Sequence, residues 1–420
     1  MGDTRASLRI LALSNLYPPF HLGGYELGCR DVVEGLTDAG HAVTVLTSRH
    51  GLEGPRVEGR VMRGLAYWPD RPAGSWGALA RLEWENRRRL AVLLTDFRPD
   101  ALLVFSLYGI SQGLLLSAQR RGVPVAYLFS AEWLEPGYRG DPWMERWAGV
   151  PADPGRARIK AALRRRLDPL LPTGLEPPDL RHACFTSARL RALYTGKGFP
   201  VAGAPVIHWG VDPARFAPPP PAACGAAIRL LFAGRIAPEK GLHTAVEALG
   251  LLARVGGAES IRLDVAGPVQ DAAYLATLRE RTAALRIADR VRFLGVLPRE
   301  EMPRLYREHD VLVFPSIWEE PFSIGLLEAM ASGLAVIGTP AGGSAEILAD
   351  GKNSLTFPPG DAAALADQLG RLADPELRRS LGAAARRTVA ERFTLEAMVG
   401  RIQAFLGEAV RHRAAARSGG

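Results

Sequence analysis

Short apolar runs recur along the chain, each followed by a longer stretch whose apolar positions repeat at helical spacing. In the first half, Leu8–Leu13 precedes a helix predicted from about Gly24 to Gly40, and the run Ala42–Thr47 follows. Arg81–Leu94 reads as helix, Ala101–Phe105 and Val123–Leu128 as strands with a helix between them, and Ala183–Thr186 as one more strand. Strands alternating with helices of roughly 10–15 residues specify βαβ units and a mostly parallel sheet.

The alternation halts at Pro213–Pro221, where Pro218–Pro221 form an unbroken proline run. Such a run is stiff and extended and reads as a linker. Beyond it strands are predicted at Ile228–Ala233, Ile261–Ala266, Val291–Leu294, Val311–Pro315, Ala335–Gly338 and Ser354–Phe357, with helices starting near Gly241, Asp271, Glu300 and Phe322. A last helix is expected over 394–413 and a disordered tail over 414–420. The fold class is therefore α/β, with two doubly wound parallel-sheet domains, 1–217 and 218–393, facing a cleft. Ligands of such sheets bind beyond the carboxyl ends of the strands. No G-x-G-x-x-G opens either half, which argues against a dinucleotide dehydrogenase.

Composition narrows this picture without changing it. The 420 residues are 47% apolar and 23% charged, as in a soluble globular protein of two or three domains. A disordered chain, a collagen-like chain and a small disulfide scaffold are excluded. Cys29, Cys184 and Cys224 are far apart and form no C-x-x-C, so neither a zinc site nor a disulfide framework is indicated, and a reducing, cytoplasmic setting is expected. The N-terminus does not read as a signal peptide, because Leu8–Leu13 contains Arg9 and runs into Ser14, Asn15 and Pro18. The uncharged stretch Ala101–Ala118 falls short of the roughly 20 apolar residues a membrane span needs. The formal charge is +8, and only four of the 52 basic residues are lysines: Lys160, Lys197, Lys240 and Lys352. A lysine inside a motif therefore stands out.

Three constellations carry candidate chemistry. Phe232–Gly241 follows a strand and opens a helix; in it Gly234 permits close backbone approach, Arg235 offers a planar donor fork and Lys240 a mobile point charge, a pairing suited to a diphosphate. The bland alternative is a solvated surface turn. In Pro315–Met330, Pro321 suits the first turn of a helix, and the amides of Phe322, Ser323, Ile324 and Gly325 would then leave the helix start as an anion site. Glu320 sits at that mouth and Glu328 eight residues on, near the same face, each able to accept paired hydroxyl donors. The bland alternative is a helix cap and a solvated carboxylate. Gly23-Gly24, between His21 and Glu26, can bring backbone amides to a phosphate, although many strand-to-helix turns contain two glycines.

Together these motifs resemble a retaining glycosyltransferase of family 4, in the glycosyl transferases group 1 class, over about Leu8 to Val410. Gly23–Glu26 with Gly40–Val45 resembles the family's opening. Val206–Asp212 with Phe216 resembles its interdomain segment, with Trp209 where Asn is usual. Gly234-Arg235, Glu239–Gly241 and Glu320–Glu328 resemble its donor-binding signatures, and Gly342–Glu346 with Asp350-Gly351 the segment after them. The resemblance implies the GT-B fold, two Rossmann-like domains of which the first binds acceptor and the second nucleotide sugar, with the last helix returning to the first. It implies that Arg235 and Lys240 hold the donor diphosphate, Glu320 the donor sugar and Glu328 the ribose. Gly23, Gly24, Gly234 and the 322–325 amides would cradle phosphate and sugar, and Val296 would lie against the base. No metal ion or separate cofactor is implied, because Arg and Lys supply the positive charge. Closure of the domains would exclude water.

One departure concerns the His-Asp pair that the family carries after its fourth strand. The matching stretch is Leu128–Trp133, with Ser130 in place of the His and Ala131 of the Asp. Ser130 and Glu132 are then the candidate sugar contacts. The expected reaction moves a sugar from a UDP- or GDP-sugar to a carbohydrate, lipid-linked or small-molecule acceptor. A nucleotide-sugar epimerase and a catalytically weak nucleotide-binding scaffold subunit remain as alternatives. Arg156–Leu171 reads as a basic amphipathic helix, so an anionic membrane surface, at the inner face of the plasma membrane, is a candidate partner. Nucleic acid is not, because stacking platforms are not evident.

Overall fold

The computed structural model describes residues 7–70, 75–148, 153–168, 177–218, 227–256 and 260–418. They form two compact units, Met1–Ile207 with Val399–Gly420, and His208–Met398.

The sheet of unit 1 contains β1 (Arg9–Ser14), β2 (Ala42–Ser48), β3 (Arg56–Glu58), β4 (Val61–Leu65), β5 (Ala101–Ser106), β6 (Val125–Phe129) and β7 (Ala183–Phe185), in the order β3-β4-β2-β1-β5-β6-β7. All pairs are parallel except the β3–β4 hairpin at one edge, which the apolar pattern did not predict. Every residue of β5 and β6 is buried, which is why these strands read as continuous apolar runs. Ala101–Ala118 resolves into β5 and the start of a helix at Gly113–Arg120, with Leu114 and Leu115 in the core.

Unit 2 contains β8 (Ile228–Ala233), β9 (Ile261–Ala266), β10 (Val291–Gly295), β11 (Val311–Phe314), β12 (Ala335–Gly338) and β13 (Leu355–Thr356), in the order β10-β9-β8-β11-β12-β13, all parallel. β8 therefore adjoins β11, whereas its successors β9 and β10 run outward on the other side. The strand order reverses between β8 and β11, which makes their carboxyl ends the topological switch point where ligands of open α/β sheets bind. Helices Leu242–Arg254 and Ala272–Ala284 start where expected, the second capped by Asp271, whose carboxylate accepts the Tyr274 N–H. Helices Ala362–Arg371 and Pro375–Arg392 complete the layer and start at Asp361 and Asp374 caps.

The units divide at 207/208, not at 217/218. Trp209 and Phe216 are buried in unit 2, Phe216 edge-on to Tyr306, and Arg386 donates to the Phe216 and Pro213 carbonyls. Of the proline run only Pro218 is described; Pro219–Pro221 lie outside the described residues, as does Cys224. The last helix is Leu395–Ser418, so 414–418, expected as disordered tail, continue the helix. Among the described residues no helix is long and apolar enough to cross a membrane.

Candidate functional site

The carboxyl ends of β8 and β11 bring the second unit's candidate residues together. After β8 the Gly234 N–H donates to the Ala266 carbonyl at 2.9 Å, so that amide is spent on the sheet, and the chain turns outward at Arg235. A single 3₁₀ turn, Pro238–Lys240, follows, and Gly241 then stands at φ +67. A β-carbon on Gly241 would lie 1.9 Å from the Pro315 carbonyl oxygen. Only glycine lets the β8 loop pass the end of β11 this closely. Ile317 N–H donates to the Glu239 carbonyl at 3.0 Å, which ties the two loops together.

Here Lys240 Nζ lies 2.5 Å from Glu320 Oε1, and Ser316 Oγ donates to the same oxygen at 2.8 Å. Glu320 is buried, and its backbone is pinned by the Gly343 N–H, which donates to its carbonyl. Arg235, partly exposed, is 3.4 Å from Glu239 and also donates to Gln270. A guanidinium, an ammonium and a carboxylate thus converge on the switch point.

The helix that follows is Ile324–Ala331, with Ser323 as its N-cap: Ser323 Oγ accepts the Leu326 N–H at 3.2 Å. Pro321 is therefore not in the first helical turn, and Glu320 and Glu328 do not share a helix face, which corrects the sequence expectation. The cause is local: a serine side chain able to take an orphan amide fixes the start two residues beyond the proline. Ser323 Oγ satisfies Leu326, and the first amides, those of Ile324 and Gly325, remain directed out of the helix start. The Phe322 side chain is buried, stacked on His208 at 5.0 Å and tilted against Phe393 at 5.7 Å. Glu328 is buried one turn in, where Tyr306 Oη donates to Oε2 at 3.2 Å and Arg299 stands 3.8 Å from Oε1. Burial and the neighbouring Glu328 charge hold the Tyr306 hydroxyl well above its ordinary range, so it stays a donor. Val296, after β10, is exposed at the same end of the sheet.

Sequence motifs did not reveal Ser316, Tyr306, Arg299, Gln270 or the His208–Glu346 pair at 2.8 Å. Tyr306 lies in the helix Met302–Arg307 and Arg299 just before it, neither at a recognisable spacing to Glu328, and only the fold joins them.

The first unit treats its candidates differently. Glu26, fully buried, accepts the Leu22 and Gly23 N–H groups at 3.1 Å each, and burial raises its pKa. The Gly23 amide is thus taken by this carboxylate, and Gly24 is the first residue of the helix Gly24–Asp38. His21 is exposed, its Nδ1 3.0 Å from the Pro19 carbonyl. Ser130 follows β6, buried, and its Oγ has no partner among the described residues. Glu132 is ion-paired with Lys197 at 2.9 Å on the surface. Trp133 stacks on Phe129, whereas Trp143 and Trp147 belong to a separate apolar cluster, so these three tryptophans serve packing. The basic helix is Pro154–Leu167; Pro169, Leu170 and Leu171 of its expected end lie outside the described residues.

Comparison with known proteins matches both units. Residues 225–388 match the family model "Glycosyl transferases group 1", and residues 23–202 match "Glycosyl transferase 4-like domain". The glycogen synthase of Mycobacterium tuberculosis is 28% identical over 409 residues, covering 92% of this chain and 91% of that protein. Among solved structures, the sucrose-phosphate synthase of Thermosynechococcus elongatus superposes with a TM-score of 0.68 at 22% identity, over 97% of this chain and 99% of the other. HepE of Anabaena, solved in complex with UDP and glucose, gives a TM-score of 0.66 at 19% identity, over 95% of this chain and 99% of the other.

Proposed function

The chain belongs to the group 1 glycosyl transferases, enzymes of the GT-B fold, and on that premise we propose that it moves a sugar from a nucleotide-diphosphate sugar to a hydroxyl acceptor with retention at the anomeric carbon. The observation that carries this reading is the meeting of Lys240 and Glu320 at the β8/β11 switch point, beside the start of the helix Ile324–Ala331. In this proposal Arg235, Lys240 and the Ile324 and Gly325 amides bind the diphosphate. Glu328, preset by Tyr306 and Arg299, accepts the ribose hydroxyls. Glu320 accepts hydroxyls of the donor sugar, and Val296 borders the base.

Chemistry follows from charge development. As the bond from the anomeric carbon to the diphosphate oxygen breaks, negative charge grows on the leaving group. Preorganised cations and helix amides stabilise that charge without reorganising, a contribution worth several kcal/mol in enzymes. The acceptor oxygen attacks from the face the diphosphate leaves, and its proton passes to the departing phosphate. No metal ion is required in this scheme, since Arg235 and Lys240 provide the cationic charge. A UDP- or GDP-sugar is the proposed donor class; the UDP bound in HepE supports a nucleotide diphosphate.

The first unit is proposed to take the acceptor. Its helix Pro154–Leu167 carries six basic residues and no acidic one, none of its residues is buried, and Ile159 is 70% exposed. We propose that this helix rests on an anionic membrane surface. Sedimentation with phosphatidylglycerol vesicles tests it, with Ile159→Ser/Leu163→Ser expected to release the protein.

Incubation with UDP-, GDP- and ADP-sugars, with product anomers assigned by NMR, tests the reaction. Transfer with retention is expected. An inverted product, an epimerised free donor, or nucleotide binding with no turnover would each overturn the reading.

A further inference from the structure

We propose that unit 1 carries a second binding site, for a single-chain anionic amphiphile such as an alkyl or acyl phosphate or carboxylate, in the groove between the β3–β4 hairpin and the helix Trp76–Asp96. The groove holds about 440 Å³, in the range of small-molecule pockets. Leu46 of β2, Met62 of β4 and Leu93 form its apolar bed, and Val57, Trp84 and Val92 its walls. None of its lining residues takes part in the donor site proposed above.

The helix explains why the groove exists. Leu90, Leu93 and Leu94 face the core, whereas Trp84, Arg88 and Val92 recur every four residues as one stripe along the hollow. Val57 is 65% exposed, Trp84 50% and Val92 48%. Three large apolar side chains left open around one hollow form a contiguous patch, which a soluble surface rarely carries without an occupant.

The polar groups around it are unequal. Arg56, Arg63, Arg88 and Arg89 line the groove against one acid, Glu85. Arg63 is committed: it donates to the Tyr17 and Pro18 carbonyls and to Glu58. Arg56 also pairs with Glu58, at 3.2 Å, and Glu85 is paired with Arg49 and Arg81. Arg88 lies over the Trp84 ring at 5.4 Å. Arg89 differs, because its Nε is buried with no hydrogen-bond partner among the described residues. Gly64 of β4 makes its placement feasible: a β-carbon there would stand 3.0 Å from Arg89 Cδ and 3.4 Å from Nε. The arginine stem thus lies flat on the strand backbone, with its guanidinium at the groove.

Four arginines against one acid leave the groove positively charged, and the planar fork of Arg89 matches a carboxylate or phosphate in bidentate fashion. A neutral apolar ligand would leave Arg89 unmet, and a small anion would leave the walls wet. Only a ligand with a chain and an anionic head meets both halves of the groove.

Calorimetry on the full chain with decyl phosphate, below its micelle-forming concentration, tests this. One-to-one binding is expected, with inorganic phosphate and decyl maltoside at least tenfold weaker. Arg89→Gln and Val57→Glu should each weaken decyl phosphate at least tenfold. Val57→Glu lies on the surface and should leave the melting temperature unchanged, so it decides the matter if Arg89→Gln destabilises the fold. Ile159→Ser/Leu163→Ser should leave the affinity intact. Equal binding of decyl maltoside, unsaturable uptake, unchanged affinity in Val57→Glu, or loss of binding in the Ile159/Leu163 variant would each overturn the proposal.

Discussion

Lys240 Nζ and Glu320 Oε1 lie 2.5 Å apart although 80 residues separate them in the chain. The contact joins the loop after β8 to the loop after β11, and Ser316 completes it. Glu320 is buried and Lys240 nearly so, so the ammonium is held in place before any donor arrives.

This pairing separates stability from catalysis. Lys240→Ala should lower transfer kcat/KM by roughly 30- to 1000-fold, the loss of about 2–4 kcal/mol of transition-state stabilisation. It should also cost about 2 kcal/mol of folding stability by leaving Glu320 buried and unpaired. The double variant Lys240→Met/Glu320→Gln should recover most of the stability and none of the activity. Urea unfolding and steady-state kinetics read both, and near-native transfer in Lys240→Ala would remove this residue from the mechanism.

Glu328 offers a graded test of nucleotide recognition. Glu328→Ala removes the acceptor itself and should weaken nucleotide binding by about tenfold or more, as expected for a charged hydrogen bond. Tyr306→Phe removes only the Oη donor to Oε2 and should weaken it by roughly two- to fivefold. Equal affinities for all three proteins by calorimetry would take Glu328 out of the ribose site.

Much of this fold was legible in the sequence because parallel strands buried on both faces write uninterrupted apolar runs. Ile228–Ala233, Ile261–Ala266 and Ala335–Gly338 match to the residue. The β3–β4 hairpin was not legible: Arg56–Glu58 is short, lies at the sheet edge, and none of its residues is buried, so it writes no apolar run. The helix after β11 was placed two residues early, because Pro321 gave a start signal that the Ser323 side chain overrode. The donor motifs pointed to Arg235, Lys240, Glu320 and Glu328. Tyr306 and Arg299 come from a segment whose spacing carries no signal, and only the fold makes them neighbours of Glu328; Ser316 lies inside the Pro315–Met330 motif, but nothing in its position marks it as the donor to Glu320. Gly23 shows the converse: the glycine pair suggested free amides, but Glu26 three residues on takes the first of them.

Gly241 should be intolerant of any side chain. At φ +67 with a β-carbon 1.9 Å from the Pro315 oxygen, Gly241→Ala should cost more than about 3 kcal/mol and disturb the adjoining Lys240. Gly256, at φ +70 with no described atom within 4 Å of a β-carbon, is the control; Gly256→Ala should cost only about 1–2 kcal/mol. Similar melting temperatures for the two variants would contradict the close passage of the loops.

Unit 1 should lose stability as pH rises. Burial pushes the Glu83 carboxyl up to about 7 and the Asp141 carboxyl up to about 8, and Arg87 only partly offsets the effect on Glu83. Both groups ionise near 4 in the unfolded chain. Between about pH 4 and 8 the folded state therefore holds more protons than the unfolded state, and stability falls across that window. The Glu83 share is on the order of 3 kcal/mol. Urea unfolding at pH 5 and pH 8 should show the fall, and Glu83→Gln should flatten it. A stability that rises over this range would refute the assignment.

The grip of Arg235 and Lys240 on a diphosphate is tested most directly by comparing nucleoside diphosphate with nucleoside. Calorimetry should find UDP or GDP binding the wild-type protein far more tightly than uridine or guanosine. In Arg235→Ala/Lys240→Ala that preference should collapse to within about tenfold, since the charge-assisted bonds that create it are gone. A double variant that keeps the full preference for the diphosphate would contradict the central claim.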